Sequence, residues 1–229
     1  MGVVTSIEIR SYRPTDRSAL AEVCVRTAAG GGDARGVYSD DSLMPDVYAL
    51  PYVEHAPDLA FVVVDHDAVA PGPDPLAVDD GRLIGYIVAA PDTAAFVAWW
   101  QRAWTPGFLA RHPVPGPATA ETPAYTEESL VRDGADPGRM VRGLDQDELR
   151  THPAHLHIDL VPEAQGHGLG RRLVQTLCDA LAGRGIPGVH LSYDPANTGA
   201  RAFYDRLGFV ELPSSAEHLP LLGISTARG

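Results

Sequence analysis

His155-Leu156-His157-Ile158-Asp159-Leu160-Val161-Pro162-Glu163-Ala164-Gln165-Gly166-His167-Gly168-Leu169-Gly170-Arg171-Arg172-Leu173 decides the fold. His155, His157 and Asp159 alternate with Leu156, Ile158 and Leu160, the two-residue period of a strand with one polar and one apolar face. Pro162 closes the strand because it has no N–H for a ladder. Beyond the glycines, Leu169, Leu173, Leu177 and Leu181 recur every four residues, the stripe of a helix lying on a sheet. Gly183 and Gly185 end that helix, and Pro187 prevents it from resuming.

Between strand and helix, Gly166, Gly168 and Gly170 keep Cβ atoms away from a close-approaching ligand and allow positive φ. The turn opens a helix, so unsatisfied N–H groups and the positive dipole end meet there, a point that suits phosphate. Arg171 and Arg172 oppose the dipole in the first turn and make sense beside an anion. Neither named nucleotide fingerprint fits. No Lys-Ser/Thr follows, and the glycine spacing is wrong for a dinucleotide turn.

Downstream, Val189 to Tyr193 reads as another strand and Asp194-Pro195-Ala196-Asn197 as its exit. Asn197 is a good N-cap for a helix to Leu207, with Gly208 as its left-handed stop. Ala200 and Tyr204 share a face of that helix, Phe203 and Leu207 form the neighbouring one, and Phe209 to Leu212 returns as a final strand.

These residues resemble the GNAT superfamily of acetyl-CoA-dependent N-acyltransferases. Its pyrophosphate signature, Gln/Arg-x-x-Gly-x-Gly/Ala, is similar to Gln165-Gly166-His167-Gly168-Leu169-Gly170. Its second signature is matched by Asn197, Ala200, Phe203-Tyr204 and Leu207-Gly208-Phe209, in the right order and one βα unit later. The resemblance spans roughly residues 155–212; the N-terminal half fits the fold only by pattern. The insert and the His-x-Asp strand also resemble the pseudo-acetyltransferase domain at the C-terminus of O-GlcNAcases. The resemblance implies an α+β fold, an α/β/α sandwich whose mixed, mostly antiparallel sheet of six to seven strands has helices on both faces. It implies acetyl-CoA as the acetyl donor, with no metal required. Leu160, Val161, Gln165, Gly166, His167, Gly168, Leu169, Gly170, Arg171, Arg172, Asn197, Ala200 and Tyr204 are the expected cofactor contacts. A strand amide near Leu160 would face the thioester carbonyl, and Tyr204 would protonate the departing thiolate. A phenol suits that task because it stays neutral at pH 7 yet can donate. Asp159 is the first choice for general base and His157 the second, against the alternative that both only shape the pocket. No cysteine falls in either motif, which favours direct transfer over an acyl-enzyme.

With 229 residues the chain has room for one domain with a large insert, taken as residues 1–229 with the insert at about 91–152. No apolar run approaches ~18 residues, so no membrane span is expected, and Met1 to Ser6 do not read as a secretory signal. Cys24 and Cys178 fall on sides of helices that look buried, which suits core thiols and a cytoplasmic protein. The formal charge is −12, and all 18 basic residues are arginine. That bias points to GC-rich coding DNA and a bacterial source. Net acidity argues against nucleic acid and suits an amine acceptor or mere solubility. A small-molecule amine is the default acceptor; protein acetylation, a catalytically silent binding module and a homodimer stay open.

Nearer the start, Ile7 to Tyr12 reads as the first strand. Arg13-Pro14-Thr15-Asp16 follows as turn and N-cap, then a helix runs to Gly30-Gly31-Gly32. Leu43 to His55 reads as a broken helix in which Tyr48, Tyr52 and Glu54 are candidates for an acceptor pocket or simply cover the sheet. Leu59 to Asp65 and Arg82 to Ala90 read as antiparallel strands separated by the stiff Pro71-Gly72-Pro73-Asp74-Pro75 loop. Thr93 to Trp104 reads as a helix, Pro113 to Pro123 as loop and Glu127 to Arg132 as a short acidic helix. The insert holds all three tryptophans, either as core or as a lid over the acceptor. Nine histidines raise the question of a metal on His152, His155, His157 and Asp159. Strand neighbours at i,i+2 stand ~7 Å apart, which suits a pocket wall better than a ligand set.

Overall fold

The computed structural model describes residues 6–68, 72–114, 126–195 and 197–227. Pro71 and residues 115–123 of the two proline-rich loops lie outside the described residues. Strands β1 (Ile7–Ser11), β2 (Ala60–Asp65), β3 (Ala77–Val78), β4 (Gly81–Ala90), β5 (Ala154–Leu160), β6 (Gly188–Ser192), β7 (Val210–Glu211) and β8 (Leu221–Ser225) form one sheet. Its order is β1-β2-β4-β5-β6-β8-β7, with β3 hung on β4. Every pairing is antiparallel except β5 with β6.

Eight strands replace the six to seven expected. The two-residue β3 is too short to show a period. Leu221 to Ser225 was missed because its first residues are buried on both sides, so it does not alternate. It slots between β6 and β7.

The two faces of β5 sort the helices. Leu160 lies under α8 (Leu169–Ala182), where Leu169, Leu173, Leu177 and Leu181 are buried as the four-residue period requires. The His155/His157/Asp159 face meets α1 (Arg17–Thr27), α2 (Leu43–Tyr48) and α3 (Leu50–His55). Leu43 to His55 breaks at Ala49, whose φ of −133° is not helical. Asp16 sits at the N-cap position of α1, but its carboxylate does not cap the helix. It holds the Arg10 guanidinium through two bonds of 2.7 and 2.9 Å and accepts from the Arg13 amide. A buried cation needs such a partner more than a helix end does.

The segment between β4 and β5 forms a helical layer of its own. Helix α4 (Thr93–Trp99) runs through a π-turn (Trp100–Trp104) into α5 (Thr105–Arg111), so the expected helix is longer than Thr93 to Trp104. Helix α6 (Glu127–Ala135), a 3-10 turn (Pro137–Val141) and α7 (Gln146–Thr151) follow. Trp100 is fully buried among Phe96 and Trp104, and its Nε1 donates to Gly134 O at 2.9 Å.

Candidate functional site

Strands β5 and β6 pair only at Ala154–Val189 and His155–His190. Beyond that, β5 stays with β4 to Leu160 while β6 follows β8, so the parallel pair splays open. Val161 N–H donates to Ile84 O at 3.1 Å, which fixes the register. In an antiparallel ladder alternate residues turn their N–H groups to one partner. Those of His157, Asp159 and Val161 therefore face β4, and those of Ile158 and Leu160 face the splay. Two backbone donors thus point into a gap with no strand to receive them.

The turn that follows adds more. Gln165 donates through Nε2 to Leu160 O at 3.0 Å and through its amide to Pro162 O at 3.2 Å. Its amide is therefore spent, and the spare donors begin at Gly166. Gly166 and Gly168 have φ of 78° and 76°, and a Cβ on either would meet nothing within 4 Å. The left-handed backbone and the open space both suit a ligand lying against the turn. Gly170 differs. Its φ is not positive, and a Cβ there would come within 2.9 Å of the Phe203 ring. It serves helix packing, letting α8 approach α9 (Thr198–Leu207). The amides of Gly166 to Arg171 make no hydrogen bond with any described residue, a helix N-terminus left open. Asn197 caps α9, its Oδ1 accepting from Ala200 N at 3.0 Å.

Splay, turn and the two helix ends line one cavity of about 1180 Å³. Leu160, Gln165, Gly166, Gly168, Leu169, Gly170, Arg171, Asn197, Ala200 and Tyr204 all reach it, as do His157 and Asp159. Three expected contacts do not. Val161 is fully buried with its N–H committed to β4, and His167 and Arg172 are exposed on the outer side of the turn. Arg171 borders the cavity but also donates to Arg206 O at 3.3 Å, bracing α8 against the end of α9.

Behind the cavity wall, the buried Tyr86 Oη donates at 2.5 Å to Oδ2 of Asp159, which lines the cavity. Burial raises the Asp159 pKa above the usual carboxylate range. Tyr204 is 9% exposed and its ring is packed by Phe203 and Phe209. Its hydroxyl makes no hydrogen bond with a described residue. Burial first, and the Asp159 charge second, push the phenol pKa up, so it stays a proton donor. Cys24 also borders the cavity, but burial drives its thiol upward and removes thiolate character.

The far end is built from side chains. Tyr48 comes from α2, Tyr52 from α3, Ser129 and Asp133 from α6, and Arg139 and Met140 from the 3-10 turn. Tyr48 Oη donates to Asp133 Oδ2 at 3.1 Å. Arg139 lies over the Tyr48 ring at 5.2 Å and donates through Nε to Asp133 O, while its buried Nη2 has no hydrogen-bond partner among the described residues. Burial, then the Arg139 charge, lowers the His157 pKa to about 3. Burial, with the neighbouring histidines and Arg139 adding to it, holds His155 well below the usual histidine range.

Comparison with known proteins gives the family and the fold. The sequence profile described as the acetyltransferase (GNAT) family matches residues 118–209. A solved structure, SsHAT, is 41% identical over 97% of this chain and 99% of its own, with a TM-score of 0.80. The chain belongs to the GNAT acetyltransferase family. Membership places it in the class of acetyl-CoA-dependent N-acetyltransferases. Mycothiol acetyltransferase of Beutenbergia cavernae is 40% identical over 57 residues, a match that spans 25% of this chain and 19% of that protein. The PaiA N-acetyltransferase of Thermoplasma acidophilum, solved in complex with coenzyme A, has a TM-score of 0.52 at 16% identity, over 96% and 98% of the two chains, and shares the fold.

Of the two readings of the insert's tryptophans, core and lid, the structure takes the first. None of the three tryptophans borders the cavity. Trp100 is core, while Trp99 and Trp104 face a separate outer hollow of about 420 Å³ together with Arg17, Glu54 and Arg111. Glu54 thus leaves the acceptor candidates, and Tyr48 and Tyr52 stay. The insert reaches the cavity through Ser129, Asp133, Arg139, Met140 and Arg142, which no local pattern marked. Among the described residues, no three His, Cys, Asp or Glu side chains are arranged to hold a metal ion, and no helix is long and apolar enough to cross a membrane. His155 spends both ring nitrogens on Thr93 and Tyr52, and the His152 ring packs against Gly188 and Gly223 instead.

Proposed function

We propose that the protein transfers the acetyl group of acetyl-CoA directly to the amine of a small molecule. The observation that carries this reading is the meeting, in one cavity, of the open Gly166–Arg171 amides with Asp159 and Tyr204. The pyrophosphate would lie on those amides, where dipole and N–H groups favour an anion. Tyr204, Asn197 and Ala200 would flank the pantetheine arm, and the Leu160 N–H would donate to the thioester oxygen as it gains charge.

An alkylamine has a pKa of about 10 and must lose a proton before it can attack. Asp159 accepts that proton; its raised pKa brings it nearer working pH than an ordinary carboxylate. Nitrogen bonds to the carbonyl carbon, the carbon–sulfur bond breaks, and Tyr204 supplies a proton to the leaving sulfur. The raised phenol keeps that proton available.

The acceptor end supports a small amine. Side chains of α2, α6 and the 3-10 turn wall it on several sides, where a bound peptide would instead use an open strand edge. Within the family, our reading keeps the likeness of the insert and the His-x-Asp strand to the pseudo-acetyltransferase domain of O-GlcNAcases. Unlike a copy that has lost its donor site, this chain retains Gln165, Gly168, Gly170, Asn197 and Tyr204. Two free, buried thiols fit a bacterial cytoplasm, with no nucleic-acid partner. The test is release of free CoA thiol from acetyl-CoA over a panel of small amines and histone-tail peptides, with products identified by mass. Efficient turnover of peptides alone would overturn the small-amine assignment, and no turnover of either would favour a binding module.

A further inference from the structure

Behind the cavity wall runs a line of hydrogen bonds whose direction can be assigned from one end. Thr93 Oγ1 lies 2.8 Å from Pro153 O and 2.9 Å from His155 Nδ1. A carbonyl only accepts, so the single hydroxyl proton goes to Pro153, and the Thr93 oxygen must accept from His155 Nδ1–H. Burial holds His155 neutral, so its Nε2 then carries a lone pair. Tyr52 Oη lies 2.8 Å from that nitrogen and 3.7 Å from Met140 Sδ, and its one proton goes to the imidazole, the nearer and much stronger acceptor. The Tyr52 oxygen is left as an acceptor, 3.0 Å from His157 Nε2, which must therefore bear a hydrogen. His157 is neutral as well, so its Nδ1 is bare. No described residue donates to that nitrogen, and His157 borders the cavity.

We propose that the Thr93–His155–Tyr52 chain fixes His157 as its Nε2–H tautomer, so that the Nδ1 lone pair faces the cavity and accepts an N–H of the bound amine, leaving proton removal to Asp159. This rests on the reading of the cavity as the acceptor site. The chain is a lock rather than a proton path, because it ends on a carbonyl that can pass nothing on. It also divides the work between the two candidate bases. An imidazole that stays neutral orients the amine, and a carboxylate with a raised pKa takes its proton. Thr93, His155 and Tyr52 are positioning residues for His157. Thr93 does so from outside the cavity, with its side chain fully buried against Pro153.

The wild-type protein tests the assignment without any variant. Long-range nitrogen-15 to proton correlation on labelled histidine reports which ring nitrogen of His157 carries hydrogen; Nε2–H is expected, and Nδ1–H would overturn the proposal. Thr93→Val then leaves the His155 Nδ1–H buried without an acceptor, which favours reversing the whole chain. The His157 tautomer ratio should move by at least about fivefold toward Nδ1–H, the equivalent of one net hydrogen bond. kcat/KM for the amine should fall with it while acetyl-CoA affinity holds. Thr93→Ser keeps the hydroxyl and should restore both signatures. A Thr93→Val protein that folds, as judged by its acetyl-CoA binding, yet keeps the wild-type tautomer overturns the lock. Because the spectrum needs no turnover, a protein inactive on every amine but showing Nε2–H would sink the acetyltransfer reading and spare the tautomer assignment.

Discussion

The two ends of the cavity, named donor and acceptor ends after the acetyl transfer proposed above, are made by different means. The donor end is backbone: the amides of Gly166 to Arg171, the outward N–H groups of Ile158 and Leu160, and a cap at Asn197. All of it comes from two short continuous stretches. The acceptor end is side chain, with Tyr48, Tyr52, Asp133, Arg139, His157 and Asp159 drawn from five elements spread over more than half the chain. A backbone site needs the right turn and tolerates few residues; a side-chain site needs a scaffold to hold it and can change its residues freely. The donor end should therefore fail by local substitution, the acceptor end by loss of support.

The largest effect should come from that support. Trp100 is fully buried and ties α4 to α6 through Gly134 O. Trp100→Ala removes both the ring and the bond and should cost about 3–5 kcal/mol, read as a lower denaturation midpoint. A cost below about 1 kcal/mol, in the range of surface changes, would mean that the insert is not a packed layer. On the donor side, Gly168→Asp puts a side chain on a φ of 76° and a carboxylate beside the open amides. The Cβ itself meets open space, so the fold should persist. Loss of two charge-assisted hydrogen bonds corresponds to a weakening of acetyl-CoA binding of about a hundredfold or more. Unchanged affinity by calorimetry would remove this turn from the site.

At the junction of the two ends, Tyr204→Phe keeps the ring among Phe203 and Phe209 and removes only the hydroxyl. kcat should fall about a hundredfold or more, the lower end of the range of general-acid catalysis, with acetyl-CoA affinity little changed. Wild-type turnover would reduce Tyr204 to packing. Asp159 carries a pH signature as well. A base works only when deprotonated, and burial raises its pKa. The acid limb of the kcat profile should thus lie above the ordinary carboxylate range and vanish in Asp159→Asn. An acid limb that survives that substitution would move the base elsewhere.

The contrast also explains what the sequence disclosed. The donor end was legible because helix caps, glycine turns and strand periods are local, and the strand His155–Leu160 and the helix from Leu169 lie where their periods put them. Even there, position is not role. Val161 sits in the right stretch but turns its N–H to β4, and Gly170 serves Phe203 rather than a ligand. Register decides the first and tertiary packing the second, and neither is written in the spacing. The acceptor end was mostly illegible for the same reason. Arg139 follows an unremarkable Pro-Gly, and Thr93 reads only as a helix start. Their neighbours in space, Tyr48 and His155, are more than 60 residues away in sequence. Aromatic weight left core and lid both open, because tryptophans mark buried area wherever it lies.

The smallest expected effect makes the sharpest test of that last point. Trp99 is half-buried, stacks on Phe96 at 5.5 Å and on Trp104 at 6.4 Å, and faces the outer hollow beside Arg17, Glu54 and Arg111 rather than the main cavity. If the acceptor end is set by Asp133 and Arg139, then Trp99→Ala should change KM for a competent amine by less than about twofold, the scale of a surface substitution. Asp133→Asn leaves the fold of α6 intact but weakens the partner of Tyr48 and Arg139. It should change the same KM by about fivefold, the equivalent of one net hydrogen bond. The pair must be measured together, since a general loosening of the insert would move both. A tenfold rise in KM for Trp99→Ala, with Asp133→Asn silent, would return the tryptophans to the role of a lid and make the wall formed by α6 and the 3-10 turn a bystander.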